Sequence, residues 1–229
     1  MGAAPLANAA PSRNRRVPLW VKLAYTAFMC VLVPYYWWAY GPTNFLYFCD
    51  VALFMTLVAV WTESPLWASA PLVGIFMPQL LWQVDFLGGI FGFHVVGMTR
   101  YMFDETRPLF VRGLSFFHFW LPLFLLWLAL RLGYDRRALA VWTVLAWVLI
   151  LVCYFFMPPA MPADQRAFSG QPVNINYVYN PISDDAPQTF MPQLLYVAGM
   201  MILLPVCFYL PTHWLVGRIS ARMRVGREE

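Results

Sequence analysis

The chain has 229 residues, of which 61% are hydrophobic and only 11% are charged, whereas soluble domains average about 45–50% apolar and about 25% charged residues. So little charge cannot cover a soluble globule, which argues against a soluble enzyme, a DNA-binding domain and a disordered protein. The net charge of +4 comes from basic residues beside apolar runs, where membrane topology explains them, so nucleic acid is not an expected partner. The composition predicts an all-α, polytopic transmembrane helical bundle.

The first 16 residues are polar or small and end in a basic run, which predicts a cytoplasmic N-terminal tail at 1–16. The apolar run that follows extends from Val17 to about Tyr40 and closes with the aromatic residues 35–38. A run of this length is too long for the core of a cleaved signal peptide and long enough to span a bilayer. We therefore expect an uncleaved first span with an aromatic belt at its outer end.

Hydropathy and turn residues predict six spans in a transmembrane domain at 17–216. Their expected bounds are about 17–40, 44–62, 64–84, 109–131, 138–157 and 189–216. Residues 85–109 combine a short apolar piece with several charges, which predicts a re-entrant or interfacial segment between spans three and four. The Pro-rich loop at 158–188 is long, and such loops are either functional or disordered. A basic tail at 217–229 follows the last span.

The basic residues lie mostly on one side of this topology. Eleven of the fifteen Lys and Arg residues lie at the N-terminal end of the chain up to Lys22, at the turn between spans four and five, or in the C-terminal tail. The positive-inside rule therefore predicts both termini in the cytoplasm, and we expect a bacterial inner membrane protein. The sequence has no internal repeat that would support an inverted-repeat transporter.

Polar residues inside the spans gather in the outer halves. With the helical rise of about 1.5 Å per residue, the expected outer-half set is Asn44, Cys49, Asp50, Gln79, Gln83, Ser115 and His118. The inner halves are apolar, as in the stretch 121–130 of span four. This distribution predicts one polar pocket that is open to the outer leaflet or the outer aqueous side and closed below.

Asp50 is the most informative residue of this set, because a carboxylate inside the membrane costs about 2–3 kcal/mol unless it is paired, hydrated or protonated. One interpretation is a structural hydrogen bond between helices, with Arg112 or a Gln as the partner. The other is a role in a functional site, which is the default hypothesis for an ionisable residue at this depth.

His118 and two neighbouring polar residues allow several chemical roles. Neutral imidazole titrates near pH 7 and can act as a general base, although a structural hydrogen bond between helices explains the residue equally well. Ser115 lies about one helical turn away, and with Asp50 the three residue types match a hydrolytic triad. Cys49 is either a small buried hydrophobe or a nucleophile.

The sequence predicts no metal or other cofactor. His94, His118, Asp50 and Asp85 do not follow a recognised ligand spacing. The four Cys residues all lie in apolar runs without a CxxC pair, so no disulfide framework is expected.

The loop after span five contains an Asn- and Tyr-rich stretch at 174–181. Asn176 and Tyr177 are candidates to cover the pocket or to hold a substrate head group. The alternative is a loop that simply folds over the ends of the helices.

Four short stretches carry a resemblance to a known family. They are LYFCD at 46–50, the Gln- and Trp-containing stretch 79–85, FFH at 116–118 and NYVY at 176–179. In this order they resemble the YwaF-type integral membrane family, which is similar to transmembrane acyltransferases and more distantly to androgen-induced hydrolases of fatty acid esters of hydroxy fatty acids. The resemblance implies a six-span fold and acyl transfer or ester hydrolysis on lipids.

The resemblance also implies where the chemistry would lie. Its families use a Cys or Thr nucleophile on an early span and a His on a later one, which correspond here to Cys49 and His118. Asp50 or a Gln would orient the imidazole, as a third group does in catalytic triads. Membrane lipids and an acyl-lipid substrate are then the expected partners. The alternative is a non-enzymatic carrier of lipids or small molecules, or a structural membrane subunit.

Overall fold

The computed structural model describes residues 17–225, which fold into α-helices without any β-strand in that range. The helices are α1 (Leu19–Tyr40), α2 (Phe48–Thr62), α3 (Pro65–Ile90), α4 (Leu109–Ser115), α5 (Phe117–Leu132), α6 (Ala138–Phe156), α7 (Gln193–Leu204) and α8 (Leu210–Val225). A π-helical segment, Pro205–Tyr209, joins α7 to α8 as one long helix. The predicted tail 1–16 and the last four residues of the predicted tail 217–229 lie outside the described residues.

The predicted membrane fold is confirmed at the level of the helical bundle. Within residues 17–225, five helical stretches are long and apolar enough to cross a membrane, with α4 and α5 counted together and α7, the π-helical segment and α8 counted together. The remaining predicted span, span two, corresponds to α2, which is apolar but shorter than the other five stretches. The chain is therefore a multi-pass membrane protein.

Two of the predicted spans differ from the structure in ways that affect the site. Span two was expected from about residue 44, but Pro42–Leu46 forms a 3-10 helix and α2 begins only at Phe48. Span four is interrupted at Phe116, whose backbone N–H caps α4 by donating to the carbonyls of Gly113 and Leu114. This break separates Ser115 in α4 from His118 in α5.

The segment between α3 and α4 is a loop that closes on one carboxylate. α3 continues to Ile90, beyond its predicted end, so Asp85 belongs to the helix and is fully buried. Its Oδ1 accepts hydrogen bonds from the backbone N–H groups of Val96 (2.7 Å) and Gly97 (2.9 Å). Its Oδ2 accepts from the backbone N–H (2.9 Å) and the hydroxyl (2.6 Å) of Thr99. Four donors on one buried carboxylate hold the loop against the end of α3.

α3 is the central helix of the bundle and packs against α2, α5 and α6. Its contact with α6 depends on Gly74, because a Cβ atom there would lie 1.6 Å from Cε2 of Trp142, which is itself fully buried. On α5, Leu121, Leu125 and Leu128 are fully buried as well. The half of the bundle below the predicted pocket is thus a closely packed apolar core.

The loop between α6 and α7 is folded around Asn174. The side-chain amide of Asn174 donates to the carbonyl of Asn180 (2.8 Å) and to the carboxylate of Asp184 (3.0 Å). Its oxygen accepts from the backbone N–H groups of Tyr179 (2.8 Å) and Asn180 (3.1 Å). Of the two interpretations of 158–188, the disordered loop is therefore wrong.

Candidate functional site

Cys49 and Asp50 lie in the first turn of α2, and a side chain from the distant α6–α7 loop caps that turn. The side-chain oxygen of Asn176 accepts a hydrogen bond from the backbone N–H of Phe48 at 2.9 Å, while its Nδ2 donates to the carbonyl of Leu46 at 2.9 Å. The first turn of a helix carries backbone N–H groups without intrahelical partners and the positive end of the helix dipole. The backbone N–H groups of this turn favour a thiolate at position 49, whereas burial and the neighbouring Asp50 oppose it.

Asp50 is buried, with 3% of the residue exposed, and only half of its carboxylate is paired. Its Oδ2 accepts a hydrogen bond from Nδ2 of Asn44 at 3.0 Å, whereas Oδ1 has no partner among the described residues. The prediction that Arg112 or a Gln pairs with Asp50 is wrong. Arg112 instead donates to the carbonyl of Met102 at 3.1 Å. A buried acceptor left unpaired typically costs about 1–3 kcal/mol, so packing alone does not account for this carboxylate.

His118 is held by Gln79 across the interface of α3 and α5. Nδ1 of His118 is 2.8 Å from Nε2 and 3.1 Å from Oε1 of Gln79, whose side chain is buried. The imidazole also packs on the ring of Trp82, with 5.3 Å between the ring centroids. Nε2 of His118 has no hydrogen-bond partner in residues 17–225, so the ring is oriented through one nitrogen and leaves the other available.

Ser115 does not join His118. Its hydroxyl is 3.0 Å from the hydroxyl of Tyr36 on α1, and both residues are buried. The three members of the triad considered from residue types alone therefore have three separate partners: Tyr36 for Ser115, Gln79 for His118 and Asn44 for Asp50. In the described part of the chain no hydrogen bond connects these pairs, nor does one connect Cys49 with His118.

Tyr101, from the α3–α4 loop, contacts Trp82, whose ring also packs on His118. Its hydroxyl accepts a hydrogen bond from Nε1 of Trp82 at 3.3 Å. Burial raises the pKa of Tyr101 well above its ordinary value, and negative charge on Cys49 raises it further, while hydrogen bonding to Trp82 and Ser115 lowers it.

We refer to these side chains together as the polar cluster. They come from the helices α1 to α5, from the connection between α1 and α2, and from the α3–α4 loop. Its members are Tyr36, Asn44, Cys49, Asp50, Gln79, Trp82, Tyr101, Ser115 and His118.

The remaining predicted site residues connect helices and loops around the polar cluster. Nε2 of Gln83 donates to the carbonyl of Phe119 at 2.8 Å and ties α3 to α5. Asn176 caps α2 as described, and its Nδ2 also lies 3.6 Å from Sγ of the buried Cys153. Tyr177 is 40% exposed, and its carbonyl accepts a hydrogen bond from the hydroxyl of Tyr196 at 2.9 Å.

Sequence reasoning missed two tyrosines of the polar cluster. Tyr36 was expected in the aromatic belt, but it is 5% exposed, whereas Trp37 and Trp38 are 59% and 78% exposed. The spacing of Tyr25, Met29, Leu32 and Tyr36 follows the buried face of a helix, and this signal was available in the sequence. Tyr101 lies in an irregular loop, where no periodicity indicates its burial.

Metal ligation finds no support in this geometry. Within residues 17–225, no group of three His, Cys, Asp or Glu side chains is arranged to hold a metal ion. His94 lies near Asp85, with 3.7 Å between Nδ1 and Oδ2, but Asp85 already accepts its four loop hydrogen bonds.

The polar cluster therefore offers a thiol at a helix start, an oriented imidazole and a half-paired carboxylate. Comparison of the chain with protein-family models, with curated proteins and with solved structures found no match.

Proposed function

We propose that this protein is a membrane-embedded acyl hydrolase or acyltransferase that acts on lipid esters, with Cys49 as the nucleophile and His118 as the general base. The observation that carries the proposal is the contact of 3.1 Å between Nδ1 of His118 and Oε1 of Gln79, in which the ring N–H donates to the amide oxygen and leaves Nε2 unprotonated. In nucleophile–base pairs a third group holds the imidazole in one tautomer and orientation, and in Cys-dependent enzymes that group is commonly an amide. Nε2 is then the nitrogen that takes a proton from the nucleophile.

The position of Cys49 supports the same chemistry. The thiol is partly exposed and lies in the first turn of α2. The backbone N–H groups of that turn favour its thiolate, which is the nucleophilic form. Attack on an acyl carbonyl would give an acyl-enzyme thioester and release the alcohol part of the lipid. Water as the acceptor would complete hydrolysis, and a second lipid hydroxyl would complete transfer.

The unpaired oxygen of Asp50 gives the polar cluster an acceptor for the substrate. Oδ1 is buried without a partner in the described residues, so a hydroxyl donor on the bound lipid or on the acceptor alcohol would pair with it. Such a contact favours molecules with a free hydroxyl next to the acyl ester.

The proposed setting follows the charge distribution of the chain. We place both termini in the cytoplasm of a bacterial inner membrane, so the polar cluster lies in the outer half of the bilayer. Acyl lipids of the outer leaflet would reach the cluster sideways between the helices.

A carrier is the alternative, and one feature of the fold argues against it. A carrier needs a continuous polar path across the membrane. Beyond the polar cluster, α5 continues with the fully buried Leu121, Leu125 and Leu128, and α3 with the fully buried Leu72 and Val73. The apolar core below the cluster leaves the acyl chemistry as the better supported function.

Labelling with a long-chain alkyl chloroacetamide tests the proposal. The purified protein would be treated in detergent micelles and the modified residues identified by peptide mass spectrometry. We expect Cys49 to be modified faster than Cys153, a buried thiol that serves as the internal control. His118→Ala should slow the modification of Cys49 and leave that of Cys153 unchanged.

A turnover assay completes the test. Wild type should release fatty acid from, or transfer it between, acyl esters, and Cys49→Ala should not, while Cys153→Ala should retain the wild-type rate. Equal labelling of Cys49 and Cys153, together with no turnover of any acyl ester or thioester, would contradict the enzyme and leave the carrier or scaffold.

A further inference from the structure

A second polar site lies at the opposite end of the bundle from the polar cluster, where α8 passes the turn between α5 and α6. It is a cleft of about 290 Å³ lined by Arg136, His213, Trp214, Gly217, Arg218 and Ala221. We refer to it as the basic cleft. Two of its six lining residues are arginines and a third is a histidine, so its chemistry is that of an anion site.

In the part of the chain that the structure describes, neither arginine of the basic cleft is neutralised by a carboxylate. The acidic residue next to Arg136 in sequence is Asp135, and its carboxylate is taken by Arg137, with 2.8 Å between Nη2 and Oδ2. This pairing lowers the pKa of Asp135 below its ordinary value, chiefly through the hydrogen bond from Arg137. Within residues 17–225, Arg136 and Arg218 form no ion pair.

The groups of the cleft are held in place by their neighbours. The guanidinium of Arg218 lies 3.9 Å from the ring centroid of Trp214, one helical turn earlier on α8. Nδ1 of His213 is 2.7 Å from the hydroxyl of Tyr134. With the tyrosine hydroxyl as the donor, the ring proton of His213 lies on Nε2 and provides a further hydrogen-bond donor. A planar guanidinium that is already stacked loses little freedom when it binds an anion.

The surroundings indicate a lipid as the source of that anion. The long helix of α7, the π-helical segment and α8 contains a stretch that is apolar enough to cross a membrane, and the basic cleft lies on the C-terminal part of this helix. Trp214 is 57% exposed, and tryptophan prefers the head-group level of a bilayer. Basic pockets at this level bind the phosphates of anionic lipids.

We propose that the basic cleft binds the phosphate of an anionic membrane phospholipid. Arg136 and Arg218 pair with the phosphate oxygens, His213 donates a further hydrogen bond, and the acyl chains lie along the apolar surface of α8. Because this site is separate from the polar cluster, its occupancy does not depend on the chemistry proposed for Cys49.

Titration of the full chain with phosphatidylglycerol tests the proposal, with phosphatidylcholine as the zwitterionic reference. Bound lipids would be counted by native mass spectrometry of the protein released from detergent micelles. We expect wild type to prefer phosphatidylglycerol, and the double variant Arg136→Gln/Arg218→Gln to bind it at least tenfold more weakly. One arginine near anionic lipid contributes roughly a fivefold change in affinity.

Arg131→Gln is the matched control. Arg131 also stacks on a tryptophan one turn earlier in its helix, with 5.6 Å to the ring centroid of Trp127, but it does not line the cleft. It should bind phosphatidylglycerol like wild type. An equal loss in the control would show general attraction between charges and overturn the proposal.

Gly217→Leu tests the cleft without changing the charge. A Cβ at Gly217 would meet Cε1 of Tyr134 at an ordinary 3.9 Å, so the larger side chain would extend into the cleft. We expect this variant to keep the wild-type melting temperature and to lose the preference for phosphatidylglycerol. Unchanged lipid binding would overturn the proposal, as would displacement of the lipid by millimolar inorganic phosphate, because the natural ligand would then be a soluble phosphate.

Discussion

Nδ1 of His118 on α5 lies 3.1 Å from Oε1 of Gln79 on α3, and this hydrogen bond, with the ring N–H as the donor, joins the two helices at the centre of the polar cluster. Both residues were expected in a pocket, but their direct pairing depends on how α3 and α5 pack. The bond leaves Nε2 of the imidazole without a partner in the described residues. In the proposed mechanism, Gln79 therefore orients the imidazole and His118 transfers the proton.

We expect Gln79→Leu to slow acylation of Cys49 by about 10- to 100-fold, because the imidazole loses its orientation while the base itself remains. Gln79→Asn serves as the conservative comparison, since it retains the amide on a shorter stem. The measurement is the rate of Cys49 modification as a function of pH. A merely structural role would lower the melting temperature without changing the pH profile.

Cys49 and His118 should act as one unit. Cys49→Ala and His118→Ala are each expected to remove most of the acyl hydrolysis or transfer, and the double variant should be little worse than either. Steady-state rates of the single and double variants measure this non-additivity. Ser115→Ala should retain activity because its hydroxyl pairs with Tyr36. Loss in Ser115→Ala with full activity in Cys49→Ala would move the nucleophile to Ser115.

Gly74→Ala should destabilise the bundle by about 1–3 kcal/mol, because the added methyl group overlaps the ring of Trp142 in a closely packed core. Thermal unfolding in detergent, followed by tryptophan fluorescence, measures the change. Gly199→Ala is the matched control, since a Cβ there would meet nothing within 4 Å and alanine favours helix. A melting temperature of Gly74→Ala at or above that of wild type would contradict the packing described here.

The turn between α5 and α6 should loosen in acid. The hydrogen bond from Arg137 holds the pKa of Asp135 below its ordinary value, so the stabilising effect of this carboxylate is complete above that ordinary value. It is lost as the pH falls through the lowered pKa. Hydrogen exchange of residues 133–138 should therefore quicken as the pH falls below about 4, after correction for the intrinsic exchange rate. Asp135→Asn should exchange quickly at every pH.

The proposed orientation can be tested with single-Cys variants on a background without native Cys. Ser169 lies in the α6–α7 loop and is exposed, whereas Ser220 on α8 is buried and the neighbouring Ala221 is exposed. Ser169→Cys should react with an impermeant maleimide added to intact cells, and Ala221→Cys should react only after lysis. The reverse result would place both termini outside.

The order and approximate positions of the apolar helices follow from the sequence alone, because hydropathy is a property of a continuous segment and a bilayer requires about 20 apolar residues per helix. Asp50, Gln79 and His118 were identified in the same way, since a polar residue in an apolar run is visible without a fold. The apolar stretch 121–130 likewise predicted the packed core below them.

The partners of these residues were decided by the tertiary structure. Asn44 pairs with Asp50 because Pro42–Leu46 turns back as a 3-10 helix, and Ser115 pairs with Tyr36 because α4 ends at Ser115. Tyr101 enters the polar cluster because Asp85 closes the loop that carries it. A hydrogen bond acts over about 3 Å, whereas hydropathy and spacing place a side chain only to within a helical turn, so packing had to determine which polar groups meet.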